Sequence, residues 1–237
     1  MTVAIEPFSS ADDWSEACAE RLASALGEGI SAGDKALFAG AGGSTPSPIY
    51  RRLAQADLDW SRVAVTLVDE RHVPESSPDS NARLMRETLL TGPAAVARFI
   101  PLHHAAVTVD RAAALAARAL QSEGPLDAVL LGMGEDGHIC SMFPGSPTLK
   151  TLLTTALEPA VFGVPPGRDG MAPPQERISL NIPYLARARR VVLALTGAKK
   201  RAVFEAEAAG DPAVQPIAAL IAARTSLGAP LEVLWTE

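Results

Sequence analysis

Asp127-Ala128-Val129-Leu130-Leu131-Gly132-Met133-Gly134-Glu135-Asp136-Gly137-His138 is the stretch on which the fold turns. A short apolar run closed by glycines and then a polar cluster is how a buried parallel strand reads where it delivers side chains to the mouth of a sheet. The glycines permit backbone angles and close approaches that a Cβ forbids. His138 is the one side chain in the cluster whose unperturbed pKa suits proton transfer near neutrality. A strand-to-helix turn with a surface histidine is the competing reading of this stretch alone; three further segments weigh against it.

Outward from this strand, short apolar or β-branched runs alternate with Ala-rich helical patterns. Toward the N-terminus, Ser10 caps a helix whose Trp14, Cys18, Leu22, Ala25 and Leu26 recur at helical spacing until Gly27 and Gly33 loosen it. Lys35–Ala39 reads as a strand, followed by a glycine loop and a helix from a Thr45-Pro46 cap to about Ala56. Arg62–Val68 is the next strand, a helix starts near Ser80, Arg98–Leu102 is extended, and an Ala-rich helix covers Asp110–Ser122. Toward the C-terminus, Arg177–Asn181, Arg190–Thr196 and Leu231–Thr236 read as strands and Ala198–Ala209 as a helix. This order predicts an α/β fold with a mostly parallel, doubly wound, Rossmann-like sheet flanked by helices, and right-handed crossovers. We expect one domain over 1–237, with Val164–Glu176, rich in Pro and Gly, as a loop or lid.

Composition narrows the function classes. With 21 Lys+Arg against 27 Asp+Glu the formal charge is -6, and no basic block stands out, so no nucleic-acid partner is expected. Cys18 and Cys140 make no disulfide framework and suit a reducing cytoplasm. Met1–Trp14 is acidic, without the basic-then-apolar order of a signal peptide, and no apolar run approaches the ~20 residues of a membrane span, so no membrane partner is expected either. His103-His104 have no Cys or acidic cluster beside them, and no metal is expected.

Three more segments stand at strand ends. Gly40-Ala41-Gly42-Gly43-Ser44-Thr45-Pro46 presents backbone N–H groups and two hydroxyls at a helix start, which suits a phosphate. It lacks the P-loop lysine and the dinucleotide spacing, and read alone it is equally a tight turn. Asp69-Glu70-Arg71-His72 closes the Arg62–Val68 strand, and Arg71 can hold a phosphate through two N–H groups; the bland reading is a solvated, salt-bridged turn. Gly197-Ala198-Lys199-Lys200 opens a helix after another strand and can bring a lysine to the same mouth, or leave a surface pair.

Taken together, these residues resemble the 6-phosphogluconolactonase family: AGGSTP at Ala41–Pro46, DERHVP at Asp69–Pro74 with Ser80-Asn81, GMGEDGH at Gly132–His138 with Met142-Phe143-Pro144, RISL at Arg177–Leu180 and GAKK at Gly197–Lys200, in family order across almost the whole chain. The resemblance implies the fold of sugar-phosphate isomerases and deaminases, a phosphorylated sugar lactone as substrate, and neither metal nor organic cofactor. Ala41 stands where the family often has Ser, and Ile139-Cys140 departs from the usual Thr-Ala, a change toward the deaminase motif DGHIA. Deaminases carry DEY and an FNEP-type glutamate, where this chain has Asp69-Glu70-Arg71 and Phe143-Pro144-Gly145.

A δ-lactone is an activated ester, hydrolysed by water once a base takes its proton and the oxyanion is stabilised. His138 is the candidate base, oriented by Asp136 or by Asp69. The phosphate is expected among Gly42, Gly43, Ser44, Thr45, Arg71 and Lys200, with Arg177 as a further candidate. Ser44 is not in a GxSxG elbow, and Cys140 reads as apolar filling. A sugar-phosphate deaminase-isomerase and a non-catalytic sugar-phosphate sensor are the rivals. A monomer or a homodimer is expected.

Overall fold

The computed structural model describes residues 3–166 and 174–237. In chain order the elements are β1 (Ile5–Phe8), α1 (Ala11–Gly33), β2 (Ala36–Gly40), α2 (Ser47–Leu53), β3 (Val63–Leu67), β4 (Asp69–Arg71), α3 (Asn81–Thr88), β5 (Arg98–Phe99) and α4 (Val109–Gln121). They continue with β6 (Ala128–Leu131), α5 (Leu149–Leu153), β7 (Val161–Val164), β8 (Arg177–Leu180), α6 (Ile182–Ala186), β9 (Arg190–Thr196), α7 (Ala198–Ala208), α8 (Pro216–Ser226) and β10 (Glu232–Thr236).

Seven strands form one sheet in the order β1-β10-β9-β6-β2-β3-β5, every neighbouring pair parallel. Strands β2, β6 and β9 are apolar along their buried lengths, and β3 is so except at Thr66, as expected where helices cover both faces. From β2 the chain winds one way through β3 to β5; from β6 it winds the other way through β9 and β10. The reversal falls between β2 and β6, and the crevice beyond the carboxyl ends of such a pair is where open α/β sheets bind ligands.

Several expectations are corrected. Helix α1 does not loosen at Gly27; it runs to Gly33 because Leu22, Ala25, Leu26 and Gly29 are buried against the sheet, which outweighs a glycine penalty of ~1 kcal/mol. Helix α2 is shorter than expected, and Thr45 is not its cap: Pro46 occupies that position without a side-chain hydrogen bond. The strand expected over Arg62–Val68 is β3, but the charged triplet after it, expected as a turn at the strand's end, is itself a strand, β4. Val68 N–H donates to Gly40 O and Val68 O accepts from Leu180 N–H, so β4 leaves the main sheet at this point. It joins β8 and β7 in a separate antiparallel sheet, which places Arg177–Leu180 outside the parallel one. The segment Val164–Glu176 has its first residue in β7, and its residues 167–173 lie outside the described residues, so the lid expected there is not tested.

Candidate active site

Five chain segments meet at the carboxyl edge of the sheet around a cleft of about 240 Å³. Its walls include Gly42–Thr45 after β2, Asp69 and Arg71 of β4, Gly132–Gly134 and His138 after β6, Arg177 of β8 and Lys200 of α7. All ten expected site residues except Asp136 therefore line one cleft, and Asp136 contacts one that does.

His138 and Asp136 form a pair. The Nδ1 of His138 lies 2.5 Å from Asp136 Oδ1. A carboxylate only accepts, so Nδ1 carries the proton and Nε2 is left with a lone pair, the form a base needs. The Asp136 carboxyl is held below its usual range, first by the hydrogen bond to His138. The turn itself is closed by Gly134 N–H to His138 O at 2.9 Å. Phe143, buried, lies against the imidazole with ring centres 4.5 Å apart, and the Arg177 guanidinium sits 5.5 Å from the same ring.

Asp69, the other carboxylate expected to orient the imidazole, makes no hydrogen bond to it. Its Oδ2 accepts from Ser141 Oγ at 2.7 Å and lies 3.9 Å from Arg177, while its backbone oxygen accepts from Asn81 Nδ2. The neighbouring Glu70 is fully buried and faces away from the cleft. It accepts from the backbone N–H groups of Arg71, Asn81 and Ala82 and from Ser80 Oγ, so it anchors the start of α3; burial pushes its pKa up against those bonds. The charged triplet thus divides between cleft and scaffold, as alternation along a strand requires.

Arg71 and Arg177 stand directly opposite each other in the β4–β8 register. Like charges so placed repel. Arg71 donates one bond to Asp79 O, yet the Nε atoms of both arginines are buried without a partner. Burial lowers the Arg177 pKa, and Asp69 opposes that. Two opposed guanidinium groups on a cleft wall have the charge and the donors to hold an anion. Of the lysine pair, Lys199 binds Glu135 and Lys200 reaches the cleft.

The glycine loop is held by Ala41 N–H to Leu130 O and by Tyr50 Oη donating to Ala41 O at 2.6 Å. Gly42 lies so close to Asn81 that a Cβ would fall 1.9 Å from its Oδ1. Three contributors were not among the expected site residues: Asn81, Ser141 and Phe143. Asn81 and Phe143 fall within the quoted motifs, but only the packing gives them contacts.

Residues 9–229 match the family described as Glucosamine-6-phosphate isomerases/6-phosphogluconolactonase. The chain belongs to this family. It is 39% identical over 235 residues to a 6-phosphogluconolactonase of Caulobacter vibrioides, covering 99% of this chain and 98% of that one. It is 40% identical to one of Rhizobium meliloti, covering 99% of each. The crystal structure of a 6-phosphogluconolactonase from Shewanella baltica superposes with a TM-score of 0.90 at 34% identity, covering 100% of this chain and 98% of that one. Cys140 is buried with φ 51°, and burial pushes its thiol well above the usual range, which disfavours the thiolate. Among the described residues no helix is long and apolar enough to cross a membrane.

Proposed function

We propose that this protein hydrolyses 6-phospho-D-glucono-1,5-lactone to 6-phospho-D-gluconate, the lactonase step of the oxidative pentose phosphate pathway. The observation that carries the reading is the pairing, in one cleft, of a His–Asp base with two opposed arginines whose Nε donors have no partner. The family membership and the 39–40% identity to 6-phosphogluconolactonases support it.

In this reading Arg71, Arg177, Lys200 and the Gly42–Thr45 loop hold the 6-phosphate. Phosphate binding sets the lactone carbonyl over the imidazole, which turns remote binding energy into rate. Water attacks C1 while its proton passes to His138 Nε2, and Asp136 stabilises the imidazolium. The tetrahedral oxyanion collapses, the C1–O5 bond breaks, and the proton on Nε2 passes to the ring oxygen. Every atom is accounted for by one water, so no redox partner or Lewis acid is called on. We place the enzyme in the cytoplasm as a monomer or homodimer.

The test offers purified protein fresh 6-phosphogluconolactone and, separately, glucosamine-6-phosphate. Acid release above the spontaneous rate and no ammonia is the expected result. His138→Ala should lower kcat by about 10²–10⁴-fold with KM little changed. Ammonia release from the amino sugar without lactone hydrolysis would establish the deaminase instead, and neither activity would favour the sensor.

A further inference from the structure

The turn that carries His138 lies along helix α7. At the amino end of that helix Lys199 pairs with Glu135. Near its carboxyl end is Glu207, which does not line the cleft. Gly137 has φ 85° and comes so close to this side chain that a Cβ would fall 2.7 Å from Glu207 Cδ and 3.0 Å from Oε1. Glu207 Oε1 also accepts from Gln215 Nε2 at 3.3 Å. No cation pairs with it among the described residues.

We propose that Glu207 is a positioning residue for the Asp136–His138 pair: it seats Gly137 and places a second negative charge behind Asp136. This rests on the lactonase reading, in which His138 becomes an imidazolium in the transition state. Asp136 touches His138 directly, and Glu207 adds to the field that favours the protonated ring without contacting substrate. The groups facing Glu207 are Asp136 and Gln215, with the Glu135–Lys199 pair and Lys200 farther along the helix. Its own carboxyl is raised in pKa, first by burial and then by the charge of Asp136, consistent with two acids sharing one neighbourhood.

Glu207→Gln keeps the volume and the acceptor toward Gln215 while removing the charge. The acid limb of its kcat/KM profile should move about 0.5 pH unit lower, with kcat reduced about 3–10-fold and KM within about twofold of the parent. The melting temperature should hold or rise, since an unpaired charge is removed from a partly buried site. Glu207→Asp, which keeps the charge, should keep the acid limb at its parental pH. An acid limb unmoved in Glu207→Gln, one moved equally in Glu207→Asp, or a uniform loss of kcat at all pH values with a lowered melting temperature would each reduce Glu207 to packing and overturn the proposal. Absence of lactone hydrolysis by the unmodified protein would instead overturn the reading beneath it, and this proposal with it.

Discussion

Arg71 and Arg177 oppose each other in a short antiparallel pair, an arrangement that costs stability unless something anionic is to be bound. That conflict separates function from stability at the scale of one residue. Arg71→Met keeps the aliphatic stem, removes one of the two repelling charges and loses the single bond to Asp79 O. Its melting temperature should stay within a few degrees of the parent. A charge-assisted hydrogen bond contributes about 1.5–3 kcal/mol, so kcat/KM for the phosphorylated lactone should fall about 10–10²-fold. Hydrolysis of unphosphorylated glucono-δ-lactone should barely change, because that substrate has no phosphate for the arginine to hold. Parallel assays on both lactones decide it: equal losses on the two would remove Arg71 from the anion site.

At the scale of elements, the glycine loop and the start of α3 are interlocked at Gly42 and Asn81. Gly42→Ala puts a Cβ where Asn81 Oδ1 already is, and Asn81 cannot retreat without releasing Asp69 O. Overpacking of this kind costs about 1–3 kcal/mol, readable as a lowered urea midpoint at constant m-value. Activity should fall further than stability, since the displaced groups line the cleft; a midpoint equal to the parent would show that the loop yields freely. The main strands were readable in the sequence because parallel strands covered on both faces are continuous apolar runs ending in polar clusters. Strand β4 was not readable as a separate element, since Asp69-Glu70-Arg71 has no apolar residue and becomes a strand only through its pairing with β8. Helix α8 went unread for the opposite reason: it is buried over most of its length, Pro216 through Leu220 without a break, so no polar face marks its period. Strand β1 is four residues with Pro7 inside, a length and composition that only an edge tolerates. The site was better marked than the fold around it, because its residues sit at strand ends; the choice between Asp136 and Asp69 was not marked, because it depends on how β4 turns away from the sheet.

Across the whole molecule, three of the four histidines gather away from the His138–Asp136 pair, where the chain after β4 meets the segment before α4. The rings of His72 and His103 have centres 5.0 Å apart, and His72 Nε2 donates to Val107 O. His72 Nδ1 and His104 Nε2 are both buried without a partner. Burial first, then His72 and His104, lower the pKa of His103 from its ordinary 6.5. The fold therefore prefers this ring neutral. As pH falls below about 6.5 the unfolded chain takes up a proton that the folded chain refuses, so stability is present above that value and is lost as pH drops toward the folded pKa. Glu70 and Glu207, raised above 4.5 by burial, act in the opposite sense, contributing stability at low pH that is lost as pH rises through their folded values. The net slope of the parent mixes these contributions, and only a difference between proteins isolates the histidine. His103→Gln leaves both glutamates untouched and cannot be protonated in this range. Melting temperatures measured from pH 7.5 down to 5.0 should fall less steeply for the variant than for the parent, the two curves separating below about pH 6.5. Parallel curves over that interval would mean that His103 takes its proton in the folded chain as easily as in the unfolded one.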